Sequence, residues 1–224
     1  MNDVEIKKEV GELQLRITEI FHSLQGESTF VGLPTVFVRL TGCPLRCVYC
    51  DTEYAFKGGY KKSIFDIIKQ VRAYDTPYIT VTGGEPLAQQ NCVPLLNALC
   101  DLGFTVSLET SGALDVSTID SRVIKILDLK TPASGECQKN LYSNLDFLNP
   151  QDQVKFIICN KADYDWTLEL FTQYDLLGRT QILFSPEHKQ LAAKDLAGWI
   201  LADKLPVRMQ LQMHKYIWGD VAGV

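Results

Sequence analysis

From Thr35 onward, short runs of β-branched and aromatic residues alternate with longer stretches whose apolar positions recur at helical spacing. That alternation is the mark of βαβ units feeding a largely parallel sheet. The runs predict strands at 36–40, 78–82, 105–109, 123–129, 153–159, 181–184 and 207–213, and helices at 64–74, 93–102, 164–176 and 191–203. In the first helix Ile64, Ile67, Ile68 and Val71 share one face, and Ser63 stands where an N-cap hydroxyl belongs. Segment 12–20 predicts an extra strand ahead of the repeating part, with no partner assignable from the pattern. No linker or low-complexity stretch breaks the alternation, so residues 1–224 are expected to form a single α/β domain.

Parallel α/β sheets bind ligands at the carboxyl ends of their strands, so chemistry is expected in the loops that follow the predicted strands. Those loops carry Thr41-Gly42-Cys43, Thr82-Gly83-Gly84-Glu85, Glu109-Thr110-Ser111-Gly112, Lys130-Thr131-Pro132, Asn160-Lys161, Ser185-Pro186 and His214-Lys215. Hydrophobic residues make up 46% of the chain, enough for one sizeable core. A formal net charge of −5 leaves no basic stripe for a phosphate backbone, which argues against a nucleic-acid partner. No run approaches the roughly 20 apolar residues of a membrane span, and the acidic start, Met1-Asn2-Asp3-Val4-Glu5, is unlike a signal peptide. A cytoplasmic protein with no membrane association is the expectation, and its seven cysteines should be thiols rather than disulfides.

Cys43-Pro44-Leu45-Arg46-Cys47-Val48-Tyr49-Cys50 gathers three of those thiols at spacings of four and three. Soft thiolates select an iron–sulfur cluster, zinc or Cu(I) over hard cations. A structural zinc would need a fourth protein ligand, and none stands at finger-like spacing, since His22 is distant and Cys92, Cys100, Cys137 and Cys159 are scattered. Those four are expected to be packing residues. The adjacent glycines Gly83 and Gly84 after a strand permit close backbone approach to a ligand.

The cysteine spacing, with aromatic Tyr49 before the last thiol, resembles the radical S-adenosylmethionine superfamily. The resemblance implies an incomplete β/α barrel and a [4Fe-4S] cluster on Cys43, Cys47 and Cys50. Its open iron would chelate S-adenosylmethionine, whose reductive cleavage gives a 5′-deoxyadenosyl radical. It further implies that Tyr49, Cys50, Asp51, Gly84, Asp128, Leu129, Lys130 and Ser185 lie against that cofactor. Outside the cysteine loop, Glu19-Ile20-Phe21-His22-Ser23-Leu24-Gln25-Gly26-Glu27-Ser28, Arg39, Asp51-Thr52, Glu109-Thr110-Ser111-Gly112 and Gln212-Met213-His214-Lys215-Tyr216 resemble the 7-carboxy-7-deazaguanine synthase family. That resemblance implies ring contraction of 6-carboxy-5,6,7,8-tetrahydropterin to 7-carboxy-7-deazaguanine with loss of ammonia, a step toward queuosine. It assigns residues 12–34 to a substrate-binding extension, the pterin to Leu24, Gln25, Gly26, Arg39 and Thr82, and a Mg²⁺ ligand to Thr52. A homodimer fed by an external electron donor such as flavodoxin or ferredoxin is implied as well. Three departures stand out: Ser28 where many relatives have glycine, Asp128-Leu129-Lys130 in place of Ser-Pro-Lys, and an end, Trp218 to Val224, without a proline some relatives use.

Two other readings stay open from sequence. A glycyl-radical activating enzyme would use the same cluster on a protein substrate, but has no need of the 19–28 segment or of Thr52. A zinc-stabilised binding module would contain one zinc and no sulfide, whereas the enzyme would hold about four irons.

Overall fold

A computed structural model describes residues 8–219 and 221–223; Met1 to Glu5 of the acidic start, Asp220 and Val224 lie outside the described residues. Among the described residues nine strands form one sheet in the order β3-β1-β2-β4-β5-β6-β7-β8-β9. β1 (Gln14–Leu24) and β2 (Pro34–Leu40) make an antiparallel hairpin, and β3 (Tyr60–Ser63) adds antiparallel to the outer side of β1. From β2 the sheet is parallel through β4 (Tyr78–Gly83), β5 (Thr105–Thr110), β6 (Ile124–Asp128), β7 (Gln153–Ile158), β8 (Gln181–Pro186) and β9 (Arg208–Met209). β3 and β9 are its two edges, so the sheet curls without closing into an incomplete β/α barrel.

Helices α1 (Ile64–Arg72), α2 (Cys92–Asp101), α3 (Lys161–Tyr174) and α4 (Ala193–Ala202) cover the outside, and the short α5 (Met213–Ile217) follows β9. Ser63 caps α1 as its hydroxyl type predicts, accepting a hydrogen bond from Asp66 N at 3.1 Å. α3 starts three residues earlier than the apolar pattern suggests because Asn160 is its cap, its side chain accepting from Asp163 N at 3.0 Å. Among the described residues the β5–β6 and β6–β7 connections contain no α-helix; short 3-10 helices at Pro132–Ser134, Cys137–Lys139 and Tyr142–Phe147 fill the second.

Each parallel strand has two unlike faces. Val36, Val38, Leu40, Ile79, Val81, Val106, Leu108, Val154, Phe156 and Ile158 point outward into one apolar cluster with the helices. Phe37, Arg39, Thr82, Glu109, Asp128 and Lys155 alternate with them and line the interior, so a single period-2 pattern supplies both the core and the site.

Three segments differ from expectation. The predicted strand at 12–20 extends to Leu24 across a register shift between Ile17 and Glu19, a bulge that breaks strict alternation and turns Phe21 inward. β3 carries no apolar alternation because it is an exposed edge. The predicted strand at 207–213 shrinks to Arg208–Met209: Gln210 N still donates to Phe184 O of β8 at 2.9 Å while its side-chain Oε1 accepts from Ser28 N at 2.8 Å, and the chain then coils into α5.

Candidate active site

A cleft of about 730 Å³ opens at the carboxyl ends of the parallel strands. Its upper wall is the cysteine loop after β2. Cys43, Cys47 and Cys50 are half-buried free thiols that all face the cleft. The loop is anchored from several sides. Gly42 N donates to Ala55 O at 2.8 Å, Glu85 N to Gly42 O at 2.8 Å, Val48 N to Ser134 O at 3.0 Å and Arg46 N to Glu136 Oε1 at 2.6 Å. Burial pushes the Cys47 thiol up to about 11 and raises Cys43 and Cys50 as well. Loading a metal group here therefore displaces protons. Cys92, Cys100 and Cys159 are buried packing residues as expected, and Cys137 is half-buried.

The glycines of Thr82-Gly83-Gly84-Glu85 line the cleft and also serve a local packing need. A Cβ on Gly84 would stand 2.5 Å from Gly42 O and 2.7 Å from Cys43 Cβ, and one on Gly83 would stand 2.5 Å from Leu40 O. The pair lets the β4 loop press against the root of the cysteine loop. Glu85 locks the arrangement: fully buried, it accepts from Thr110 Oγ1 at 2.9 Å, Ser111 N at 2.7 Å and Leu87 N at 3.0 Å.

The same cleft has a polar floor. Gln25 is buried in the loop after β1, and its Nε2 donates to Thr80 Oγ1 at 3.0 Å and to Glu109 Oε1 at 3.4 Å. Thr82 Oγ1 donates to the other Glu109 oxygen at 3.0 Å. Burial and the nearby Glu27 raise the Glu109 carboxyl above its ordinary value. Arg39 donates from Nε to Glu19 Oε1 at 2.7 Å, and Tyr54 OH holds the same oxygen at 2.8 Å. With Phe21 and Tyr54 rings 5.8 and 5.9 Å from its Cζ, the guanidinium is fixed beside the cleft.

Asp51 and Thr52 sit at the mouth, where Thr52 Oγ1 donates to Asp51 Oδ1 at 2.9 Å and Lys215 Nζ lies 2.9 Å from Asp51 Oδ2. Burial opposes the Asp51 charge, but Lys215 and the Thr52 hydroxyl hold the carboxyl well below its usual range. Deeper in, Lys130 Nζ lies 3.1 Å from Asp128 Oδ1, and Lys155 is paired with Glu27 and stands 3.8 Å from Asp128 Oδ2. The buried Ser185 Oγ faces the cleft with no hydrogen-bond partner among the described residues.

Of the residues singled out from sequence, Leu24, Gln25, Arg39, Tyr49, Asp51, Thr52, Thr82, Gly84, Asp128, Lys130 and Ser185 all line this one cleft with the thiols. Gly26 and Leu129 do not. Leu129 is fully buried in the apolar core, its N–H donating to Lys155 O at 3.0 Å. Gly26 lies under α5: its carbonyl accepts from Met213 N at 3.1 Å, and a Cβ there would collide with the His214 ring. Ser28 adopts φ 69°, the left-handed region that favours glycine. Glu27, Glu109, Lys155 and His214 line the cleft but were not chosen from sequence as site residues. A lysine inside the apolar run Gln153-Val154-Lys155-Phe156 was the one available signal for Lys155.

Comparisons with known proteins agree on family. Residues 37–178 match the model of the radical SAM superfamily. The 7-carboxy-7-deazaguanine synthase of Chlorobaculum tepidum is 46% identical over 95% of this chain and 99% of its own length, and that of Koribacter versatilis is 42% identical over 91% and 97%. The crystal structure of QueE from Escherichia coli covers 96% of this chain and 99% of its own at a TM-score of 0.76 and 22% identity. Streptococcus suis SuiB bound to S-adenosylmethionine covers 76% and 45% at a TM-score of 0.54 and 13% identity, a likeness of fold.

Proposed function

Since the chain belongs to the 7-carboxy-7-deazaguanine synthase family of the radical SAM superfamily, we propose a division of labour within its cleft for the reaction that membership carries. The reaction is ring contraction of carboxytetrahydropterin to 7-carboxy-7-deazaguanine, toward queuosine. One observation supports the division best: three free thiols and a pre-ordered polar cluster of Gln25, Thr82 and Glu109 line a single cleft.

The donor set suits the group the family uses. Cys43, Cys47 and Cys50 supply three soft ligands. Ser185 Oγ, buried without a partner, is a polar atom ready for a ligand, and Asp128 and Lys130 flank the thiols as candidates to hold the polar ends of S-adenosylmethionine. When bound, the reduced cluster and S-adenosylmethionine together supply a carbon-centred radical able to abstract hydrogen.

The chain's own side chains bind and orient the substrate. Glu109 offers a carboxylate edge to N–H donors of a pterin ring, and Gln25 and Thr82 hold that edge in place. Arg39, with its Nε committed to Glu19, presents the rest of its fork to the cleft and suits the substrate carboxylate. The α5 segment, seated on Gly26 O, brings His214 and Lys215 to the cleft wall. Thr52 and Asp51 provide hard oxygen donors for Mg²⁺, which characteristically takes few ligands from protein and the rest from substrate and water. Classed by its ammonia loss, the enzyme is a carbon–nitrogen lyase.

The deciding experiment is anaerobic incubation of cluster-reconstituted protein with the carboxytetrahydropterin, S-adenosylmethionine, Mg²⁺ and a reductant, with mass detection of the deazaguanine acid. Formation of 5′-deoxyadenosine without that product would refute the substrate assignment. Thr52→Ala is expected to raise the Mg²⁺ concentration giving half-maximal rate by roughly tenfold or more, with iron content unchanged. An identical Mg²⁺ titration would remove Thr52 from the metal site.

The same proposal includes a homodimer, a flavodoxin or ferredoxin as electron donor, and a cytoplasmic setting. Exposed Tyr216, Ile217, Trp218 and Val221 support a pairing surface near the chain end, and no described helix is long and apolar enough to cross a membrane.

A further inference from the structure

Across the floor of the cleft run four ionisable side chains of alternating sign. Glu27 comes from the β1–β2 loop, Lys155 from β7, Asp128 from the end of β6 and Lys130 from the loop beyond it. Lys155 Nζ is paired with Glu27 Oε2 and lies 3.8 Å from Asp128 Oδ2, while the other Asp128 oxygen lies 3.1 Å from Lys130 Nζ. Their side chains are only 10, 11, 18 and 11% exposed in that order, so solvent screens them little.

The two ends of this chain belong to different halves of the cleft. Glu27 sits two residues from Gln25, in the turn whose Gln25 holds Glu109, and Met213 of the α5 segment donates to Gly26 O at 3.1 Å. Lys130 and Asp128 line the cleft together with Cys43, Cys47 and Cys50, and the segment that follows them is tied to the cysteine loop by Val48 N donating to Ser134 O at 3.0 Å. Burial disfavours the Lys155 ammonium, yet Glu27, Asp128 and Glu109 together keep it firmly protonated. Lys155 is thus the cation shared by carboxylates from the substrate side and the cofactor side. Its length and position on the inward face of β7 let one ammonium reach both.

We propose that Lys155 is a positioning residue that couples the two ligand sites: one ammonium is shared by Glu27 and Asp128, so a ligand that draws on either carboxylate shifts the balance at the other, and binding of one changes affinity for the other. This rests on the functional reading above, in which the pterin occupies the Gln25–Glu109 floor and S-adenosylmethionine the thiol side. Each ligand that hydrogen-bonds to a carboxylate of the chain weakens that carboxylate's hold on the shared ammonium and so alters the field at the other site. Linkage requires the same factor in either order of addition.

The test uses the full-length, cluster-loaded protein under anaerobic conditions with the cluster kept oxidised, so that S-adenosylmethionine is not cleaved. Calorimetric titration measures its Kd with and without the carboxytetrahydropterin, then the pterin Kd with and without S-adenosylmethionine. The parent is expected to show a reciprocal factor of roughly fivefold or more. Lys155→Met, matched in length but uncharged, should bring that factor to near one, and Lys155→Arg should recover most of it. Because a buried Glu27 left unpaired can impair folding, Asp128→Asn serves as a second break, leaving the Lys155–Glu27 pair in place while uncoupling it from Lys130. A folded Lys155→Met or Asp128→Asn protein with the parental factor would overturn the assignment, as would a parent that binds both ligands independently. A parent that binds S-adenosylmethionine but never the pterin overturns the functional reading itself, and the coupling with it.

Discussion

Cys47→Ala is expected to abolish turnover, to at least about a millionfold below the parent, because a radical enzyme without its electron-transfer centre retains only the uncatalysed rate. The loss should be chemical rather than structural. Cys47 is half-buried in a loop whose position depends on other atoms: Val48 N on Ser134 O, Arg46 N on Glu136 Oε1 and Cys50 N on Cys47 O, none of which involves the thiol. Removing one small, partly exposed sulfur leaves the apolar cluster under the strands intact. Iron and sulfide analysis of anaerobically reconstituted protein should show the cluster lost or degraded, with far-UV circular dichroism and the unfolding transition close to the parent's. A variant that holds about four irons and still makes product would remove Cys47 from the ligand set.

Gly84→Ala tests a subtler dependence. An added methyl would meet Gly42 O at 2.5 Å and Cys43 Cβ at 2.7 Å, so the backbone at the root of the cysteine loop must move. No flexible side-chain tip is available to yield. Displacing a reacting group by about an ångström can cost on the order of 100-fold in rate, and that is the fall expected here even in protein with full iron content. Overpacking should also cost about 1–3 kcal/mol of stability, seen as a lowered unfolding midpoint. Gly198→Ala is the control: nothing lies within 4 Å of a Cβ at that position in α4. It should leave activity unchanged and stability equal or slightly higher. Equal behaviour of the two variants would show that the tight contact at Gly84 carries no functional weight.

Both expectations concern residues whose type was conspicuous along the chain, whereas their reasons were not. The adjacent glycines stand out along the chain as permitting close approach, and the structure adds that a Cβ on either would first meet backbone of the same protein, at Leu40 of β2 and Gly42 of the cysteine loop. Gly26 likewise belongs to a motif that suggests substrate contact, and its carbonyl instead seats α5, with His214 directly above it. Leu129, between two charged residues of the cleft, points into the core because alternate positions of an extended segment face opposite ways.

What the amino-acid order determined unaided was everything set by near neighbours: the capped, one-sided α1, the alternation that makes a parallel sheet, and the Cys43–Cys50 spacing with its preference for a soft metal group. Local geometry and ligand chemistry need no distant partner. The tertiary structure alone decided the β1–β2 hairpin, the collapse of the last predicted strand into α5, and the charge chain in which Lys155 meets Glu27 across 128 positions. Such pairings arise where separate strands bring their inward faces together, and a buried ammonium is stable only once carboxylates from other elements surround it.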